Sequence, residues 1–303
     1  MTRDSRFLAF GALTLAMLIS SGNFIAGNLA VDDVSPAVLT FWRCLIAALC
    51  VLPFVVRARG HPLRYLMQTW RYLIPLSIVG VVLAPLLIYL ALRSEDLIDL
   101  AAGYTSIPVI TIFLSAFVMG ERLTAAQYLG ILAALLGALV FAFDGNWAKL
   151  VAFDPHVPFL FMLAAAFARA LYLVLLRKWK IHPKPQEGLF AALVIGMLVL
   201  LPFFLAEEIP ELDFLTYTPA LWGSILFVGI GMGALYLHLI TYGTHVISAS
   251  AASLFTYLVP FFVTVESVVY RDAQLQLYQG IGAALIIGGV FVATRMGKPG
   301  SGG

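Results

Sequence analysis

Charged side chains are scarce in this sequence. Lys and Arg number 18 and Asp and Glu 16 in 303 residues, 11% of the chain. So little charge cannot cover the surface of a water-facing protein of this length, which excludes an ordinary soluble domain. Cysteine is rarer still. Cys44 and Cys50 fall six apart in one apolar run and would point in different directions, so they read as buried thiols rather than as metal ligands or a disulfide. A P-loop is missing, which removes intrinsic ATP drive. H-E-x-x-H and Cys/His clusters are missing too, as is any Ser/His pair whose spacing recommends a catalytic site. No enzyme activity, resident metal, cofactor or nucleic-acid partner is expected.

Apolar residues take the place of charge. Hydrophobic content is 62% and mean hydropathy +0.98, and the apolar runs are long enough to cross a bilayer. The expected fold is an all-α integral membrane protein with ten spans, at 7–29, 36–56, 72–92, 97–119, 125–143, 157–177, 186–206, 219–242, 246–269 and 275–294. Only 57–71, 144–156 and 207–218 are connections of any length. The first span follows Arg3 and Arg6, as a signal peptide would. It is long and carries Ser20, Ser21, Asn23 and Asn28, so it reads as a retained helix.

Basic residues set an expected orientation. With the N-terminus inside, the cytoplasmic segments collect Arg57, Arg59, Arg64, Arg71, Arg122, Arg177, Lys178, Lys180, Lys184, Arg295 and Lys298 beside Arg3 and Arg6. The opposite side has Arg93, Lys149 and Arg271. That asymmetry puts both termini in the cytoplasm.

A shift of 152 residues superimposes Pro108 on Pro260, Gln127 on Gln279, Gly130 on Gly282 and Gly137 on Gly289, with Leu83, Leu87, Leu123 and Val140 matched as well. Coincident Pro, Gln and Gly at one offset mark a duplication. Five spans per half is an odd number, so the second half enters the membrane upside down relative to the first. The expected units are an N-terminal five-helix repeat at 1–143, an extracytoplasmic connector at 144–156 and an inverted C-terminal repeat at 157–303, around a central cavity.

The twin segments "GYTSIPVITIF" at 103–113 and "FTYLVPFFVTV" at 255–265 carry the matched prolines. Proline inside a membrane helix frees backbone groups, and matched interruptions in an inverted repeat point to a substrate site near the midplane. Pro108 and Pro260 are therefore expected hinges, with simple helix bending as the alternative.

The stretch "PVITIFLSAFVMGERLTAAQYLGILAALLGALVF" at 108–141 resembles the fourth-to-fifth helix signature of the drug/metabolite transporter superfamily, EamA type. "SSGNFIAGNLA" and "SPAVLTFWRCLIAAL", within 20–48, resemble its opening pair of helices. The resemblance covers nearly the whole chain. It implies ten helices in two inverted five-helix halves, a central cavity and export of small metabolites, with amino acids, aromatic ones included, prominent among substrates. The chain departs from the family in having Ser20 where Trp is frequent and Ala273 where Glu121 would find its counterpart.

Several intramembrane polar residues are candidates for the site. Arg43 and Glu266 stand at comparable depth and either pair structurally or serve gating and substrate binding. Arg169 lies deeper, with no acid at its depth; it suits a substrate carboxylate, or else bonds helix-end carbonyls. His238 reads as a core histidine or a proton carrier. Tyr104 and Tyr257 are the foremost cavity-wall candidates, with Tyr89, Trp42 and Asn23 behind them. Gly130, Ala134, Gly137, Gly282 and Gly289 permit close helix packing, within a monomer rather than between copies.

Together these point to a membrane transporter, embedded in lipid, that exports small metabolites by alternating access. Amino acids are the expected substrates, and facilitated export is the expected mode. The alternatives are proton-coupled antiport and transport of an organic anion or sugar phosphate. A lipid flippase fits less well, because the polar residues are spread over several helices as a central cavity requires, and an intramembrane enzyme fits less well, because His238 with Ser or Thr neighbours makes too weak a nucleophile and base. The expected location is the plasma (inner) membrane of a bacterium.

Overall fold

The computed structural model describes residues 3–58, 61–93, 100, 103–120, 124–142, 146, 148, 157–179, 185–210, 213–247, 249–259, 261, 262, 265 and 277–295 of the 303. Helix is the only regular structure among the described residues. The elements are α1 (Arg3–Val31), α2 (Pro36–Arg57), α3 (62–91), α4 (Ile107–Met119) and α5 (Ala125–Ala142) in the first half. In the second they are α6 (Val157–Trp179), α7 (Pro185–Glu207), α8 (219–246), α9 (Ala249–Leu254, then the 3-10 turn Phe255–Tyr257) and α10 (Leu277–Arg295). Six of them, α1, α2, α3, α6, α7 and α8, are long and apolar enough to cross a membrane. The expected span 246–269 is described only in part.

Local chemistry places the helix ends. Ser35 and Thr218 each accept a backbone N–H at 3.2 Å, from Val38 and Leu221, and each is followed by a proline in the first turn. An N-cap hydroxyl with proline behind it starts a helix at little cost, since the N–H that proline lacks would have been unpaired there. Thr124 and Gln127 form a reciprocal capping box at the head of α5, with Thr124 N–H to Gln127 Oε1 at 2.9 Å and Gln127 N–H to Thr124 Oγ1 at 3.3 Å. α4 ends at Gly120, whose φ of 67° is the left-handed conformation glycine adopts without strain.

The two halves pack as an inverted pair. α5 runs antiparallel to α10: Gly130 faces Gly289 and Ala293, while Gly137 faces Gly282 and Ile286. Exchanging the halves by 152 residues turns the first contact into the second, as a two-fold axis lying between antiparallel equivalents requires. The same exchange relates the α1–α8 contact to α3–α6 and the α2–α8 contact to α3–α7, and it maps α2–α7 and α4–α9 onto themselves. Gly196 and its counterpart Cys44 touch each other, 3.1 Å separating Cys44 Sγ from a Cβ built on Gly196. Both cysteines are free thiols, Cys44 buried and Cys50 half-buried. The small-residue stripes thus bring the two halves of the chain into close contact.

Each half carries a matched pair of irregularities that the residue pattern did not reveal. α3 passes through a π-helical segment at Ile78–Leu83 and α8 through one at Phe227–Tyr236, and the 152-residue shift places the first inside the second. The Ala84 N–H reaches back five residues to the Val79 carbonyl, widening the helix locally. Near the matched prolines, α4 begins only at Ile107, after a turn at Thr105–Ser106, and the equivalent stretch of α9 is the 3-10 turn Phe255–Tyr257. The expected continuous helix over 97–119 is therefore broken. Pro108 sits in the first turn of α4 rather than in mid-helix, where its missing N–H leaves nothing unpaired. The Ser106 hydroxyl donates to the Gly103 carbonyl at 2.6 Å and closes the break. Pro260 lies outside the described residues.

Candidate functional site

The sequence puts four tyrosines and two arginines on helices that meet at the centre. α6 presents Arg169 and, three residues on, Tyr172 on the same buried face, flanked by alanines at 165, 166, 168 and 170 that let neighbours approach. α2 presents Arg43 from between α7 and α8. Arg43 is 1% exposed and Arg169 is 2% exposed, an unusual depth for two cations.

Their environment is built from neutral groups. Arg43 Nη2 donates to the Met232 carbonyl at 3.2 Å, a carbonyl in the π-helical part of α8. Gly233 makes this reach possible: a Cβ there would fall 2.8 Å from the Arg43 carbonyl and 2.7 Å from Ala47 Cβ. The Arg169 guanidinium carbon lies 5.8 Å from the Tyr172 ring centre and 5.4 Å from that of Tyr236, within cation–π range of both. Tyr104 and Tyr89 also act electrostatically on Arg169, as Tyr89 and Tyr236 do on Arg43. The two cations are close enough to repel each other. Among the described residues no carboxylate contacts either one.

Polar tethers fix the ring. Tyr104 OH and Ser20 Oγ share a hydrogen bond of 3.0 Å, Tyr89 OH donates to Asn23 Oδ1 at 3.1 Å, and Tyr172 OH meets Thr241 Oγ1 at 3.4 Å. Phe24 packs edge-on against Tyr104, with ring centres 5.2 Å apart. What is left unpaired lies on the cations themselves. Arg43 Nε, Arg169 Nε and Arg169 Nη1 are buried with no hydrogen-bond partner. Buried guanidinium N–H groups are costly to leave unmatched, so this centre is suited to an anion with oxygen acceptors.

Five of the expected residues, Arg43, Arg169, Tyr89, Tyr104 and Asn23, are thus brought together. Three others are placed elsewhere. Trp42 is half-buried in an aromatic group with Phe41, Phe204, Phe214 and Trp222, at the end of the bundle where α2 begins and α7 stops. Tyr257 is buried, but its hydroxyl meets no partner. His238 is exposed on α8 and not in the core; it comes after the π-helical segment, which changes the face on which later residues emerge. Glu266 lies outside the described residues, so its expected pairing with Arg43 does too. Tyr172, Tyr236, Ser20 and Thr241 are participants that the residue pattern did not single out. For Tyr172 the available signal was its i+3 spacing from Arg169.

Two antiparallel-related halves around a buried polar centre, in a chain this apolar, define a multi-pass integral membrane protein of the inverted-repeat kind. The EamA-like transporter family matches residues 8–143 and again 157–295, and the chain belongs to that family. Among curated relatives it is similar to the uncharacterized transporter YetK of Bacillus subtilis (strain 168), 24% identical over 94% of this chain and 86% of that one. It is also similar to a probable amino-acid metabolite efflux pump of Escherichia coli (strain K12), 24% identical over 93% of each. A solved crystal structure superimposes with a TM-score of 0.75 over 98% of both chains at 21% identity, a likeness of fold alone.

Proposed function

We propose that the protein exports small carboxylate-bearing metabolites, amino acids foremost and aromatic ones included, across the plasma (inner) membrane of a bacterium. The observation that carries this reading is Arg169: fully buried, flanked by Tyr172 and Tyr236, with two guanidinium nitrogens lacking any protein partner. A substrate carboxylate supplies two oxygens in the planar arrangement that a guanidinium fork matches. Tyrosine rings supply an apolar wall for the rest of the molecule. The Escherichia coli relative, described as an amino-acid metabolite efflux pump, supports the choice of cargo.

Transport proceeds by alternating access. The centre is closed to solvent here, and the matched breaks ahead of Pro108 and Pro260 give each half a point at which α4 and α9 bend. Export is facilitated, the protein acts as a monomer, and both termini face the cytoplasm. Efflux of labelled amino acids from proteoliposomes tests the reading. The wild-type protein is expected to release them and a folded Arg169→Ala variant to fail. Identical flux with and without a pH gradient would remove proton coupling, in which Glu266 or His238 would serve.

A further inference from the structure

The two arginines carry more positive charge than one carboxylate can balance. Arg43 and Arg169 are both at least 98% buried, share Tyr89 and Tyr236 as neighbours, and repel each other. The groups that surround them are tyrosines, Cys44 and backbone carbonyl, all neutral, and no carboxylate contacts either among the described residues. A substrate with one negative charge leaves one buried cation uncompensated. A neutral amino acid does worse, because its single carboxylate is offset by its own ammonium and balances neither cation, whereas an acidic amino acid balances one and a dicarboxylate both.

We propose that the substrate of this site carries two carboxylates, one for each arginine, so that dicarboxylates, acidic amino acids among them, are carried in preference to neutral or basic amino acids. The proposal rests on the carboxylate-export reading above and narrows it. Arg169 has Nε and Nη1, on different edges of the guanidinium, to offer to carboxylate oxygens. Arg43 has Nε to offer, its Nη2 being held at the Met232 carbonyl, so it meets the second carboxylate from a fixed position on α2. Tyr89 and Tyr236 act electrostatically on both cations.

Counterflow exchange in proteoliposomes tests this with labelled succinate, aspartate, leucine, phenylalanine, lysine and glucose 6-phosphate. Succinate and aspartate are expected to exchange about 10- to 100-fold faster than leucine or phenylalanine, the discrimination one extra charged hydrogen-bonded contact supplies, and lysine not at all. Arg43→Gln should reduce aspartate exchange far more than leucine exchange, narrowing the gap between them. Thermal stabilisation of the purified protein by succinate, absent in Arg43→Gln, provides a readout independent of transport, and a cooperative melting transition of the variant near the wild-type temperature shows that it is folded. If leucine and phenylalanine match or exceed aspartate, the two-carboxylate inference fails while carboxylate export stands. If only glucose 6-phosphate exchanges, or no carboxylate does, the reading beneath it fails as well.

Discussion

Gly130 and Gly289 meet backbone to backbone: a Cβ added to Gly130 would fall 2.6 Å from the Gly289 carbonyl oxygen, and one added to Gly289 would fall 2.5 Å from the Gly130 carbonyl oxygen. Neither neighbour is a side chain that can swing aside. Gly130→Ala or Gly289→Ala must therefore separate α5 from α10, and overpacking of this kind costs about 1–3 kcal/mol. Gly288, one residue away, has nothing within 4 Å of its added Cβ. Gly288→Ala is expected to be neutral, or stabilising by up to about 1 kcal/mol through helix propensity. Thermal unfolding in detergent distinguishes them; equal melting temperatures for all three would remove the close-packing argument.

The orientation proposed above rests on basic residues alone and has its own test. A reporter active only outside the cytoplasm, fused within 144–156, should be active, and one fused after Arg57 should be silent. The reverse pattern would invert the protein and, with it, the direction assigned to transport.

Much of this architecture was legible because duplication leaves marks in composition. Pro108 and Pro260, and the glycines at 130, 137, 282 and 289, announced an inverted repeat, and the glycines occupy the crossing that the repeat required. Arg43 and Arg169 stood out because an ionisable residue in an apolar helix is rare. The geometry joining them was not legible. The π-helical segments at Ile78–Leu83 and Phe227–Tyr236 shift the helical phase, and a constant 3.6-residue period misplaces the residues beyond them, as with His238. Pro108 looked like a fault within a helix because the turn before it, closed by Ser106, carries no turn-forming glycine or proline of its own beyond Gly103.

Gly80 offers a way to disturb the arginine centre without touching an arginine. It lies in the π-helical part of α3 against Tyr172, and a Cβ there would fall 2.0 Å from Tyr172 Cδ2. Gly80→Ala must push that ring away from Arg169, weakening a cation–π contact worth about 1–2 kcal/mol when desolvated, so that KM for the exported substrate should rise about tenfold. At Gly231, inside the equivalent segment of α8, the nearest atom to an added Cβ is Ile19 Cγ2 at 3.3 Å. Gly231→Ala should therefore change KM much less. A KM unaltered in Gly80→Ala would mean that Tyr172 does not help to hold the substrate.

At the end of α7, Glu208 is 5% exposed beside the aromatic group of Trp42. Burial raises its carboxyl above the usual glutamate range, and the nearby Asp213 and Glu207 add to the rise, against the opposing influence of the nearby Tyr217 hydroxyl and Phe214 N–H. Tyr217 is raised in turn, first by its own burial and then by Glu208. In the folded protein Glu208 thus keeps its proton to higher pH than in the unfolded chain. Stability is greatest below the ordinary glutamate pKa of about 4.3, where both states are protonated. It falls as pH rises from there through the raised value, because the unfolded chain gives up the proton first, and it levels off above. Glu208→Gln should flatten that slope and raise the melting temperature at neutral pH. Tyr217→Phe, which removes a nearby hydroxyl that favours the charged form, should steepen the slope, and Glu207→Gln, on an exposed side chain, should change it little. Melting temperatures measured from pH 4 to pH 8 on the four proteins decide the matter: a slope that survives in Glu208→Gln belongs to another group.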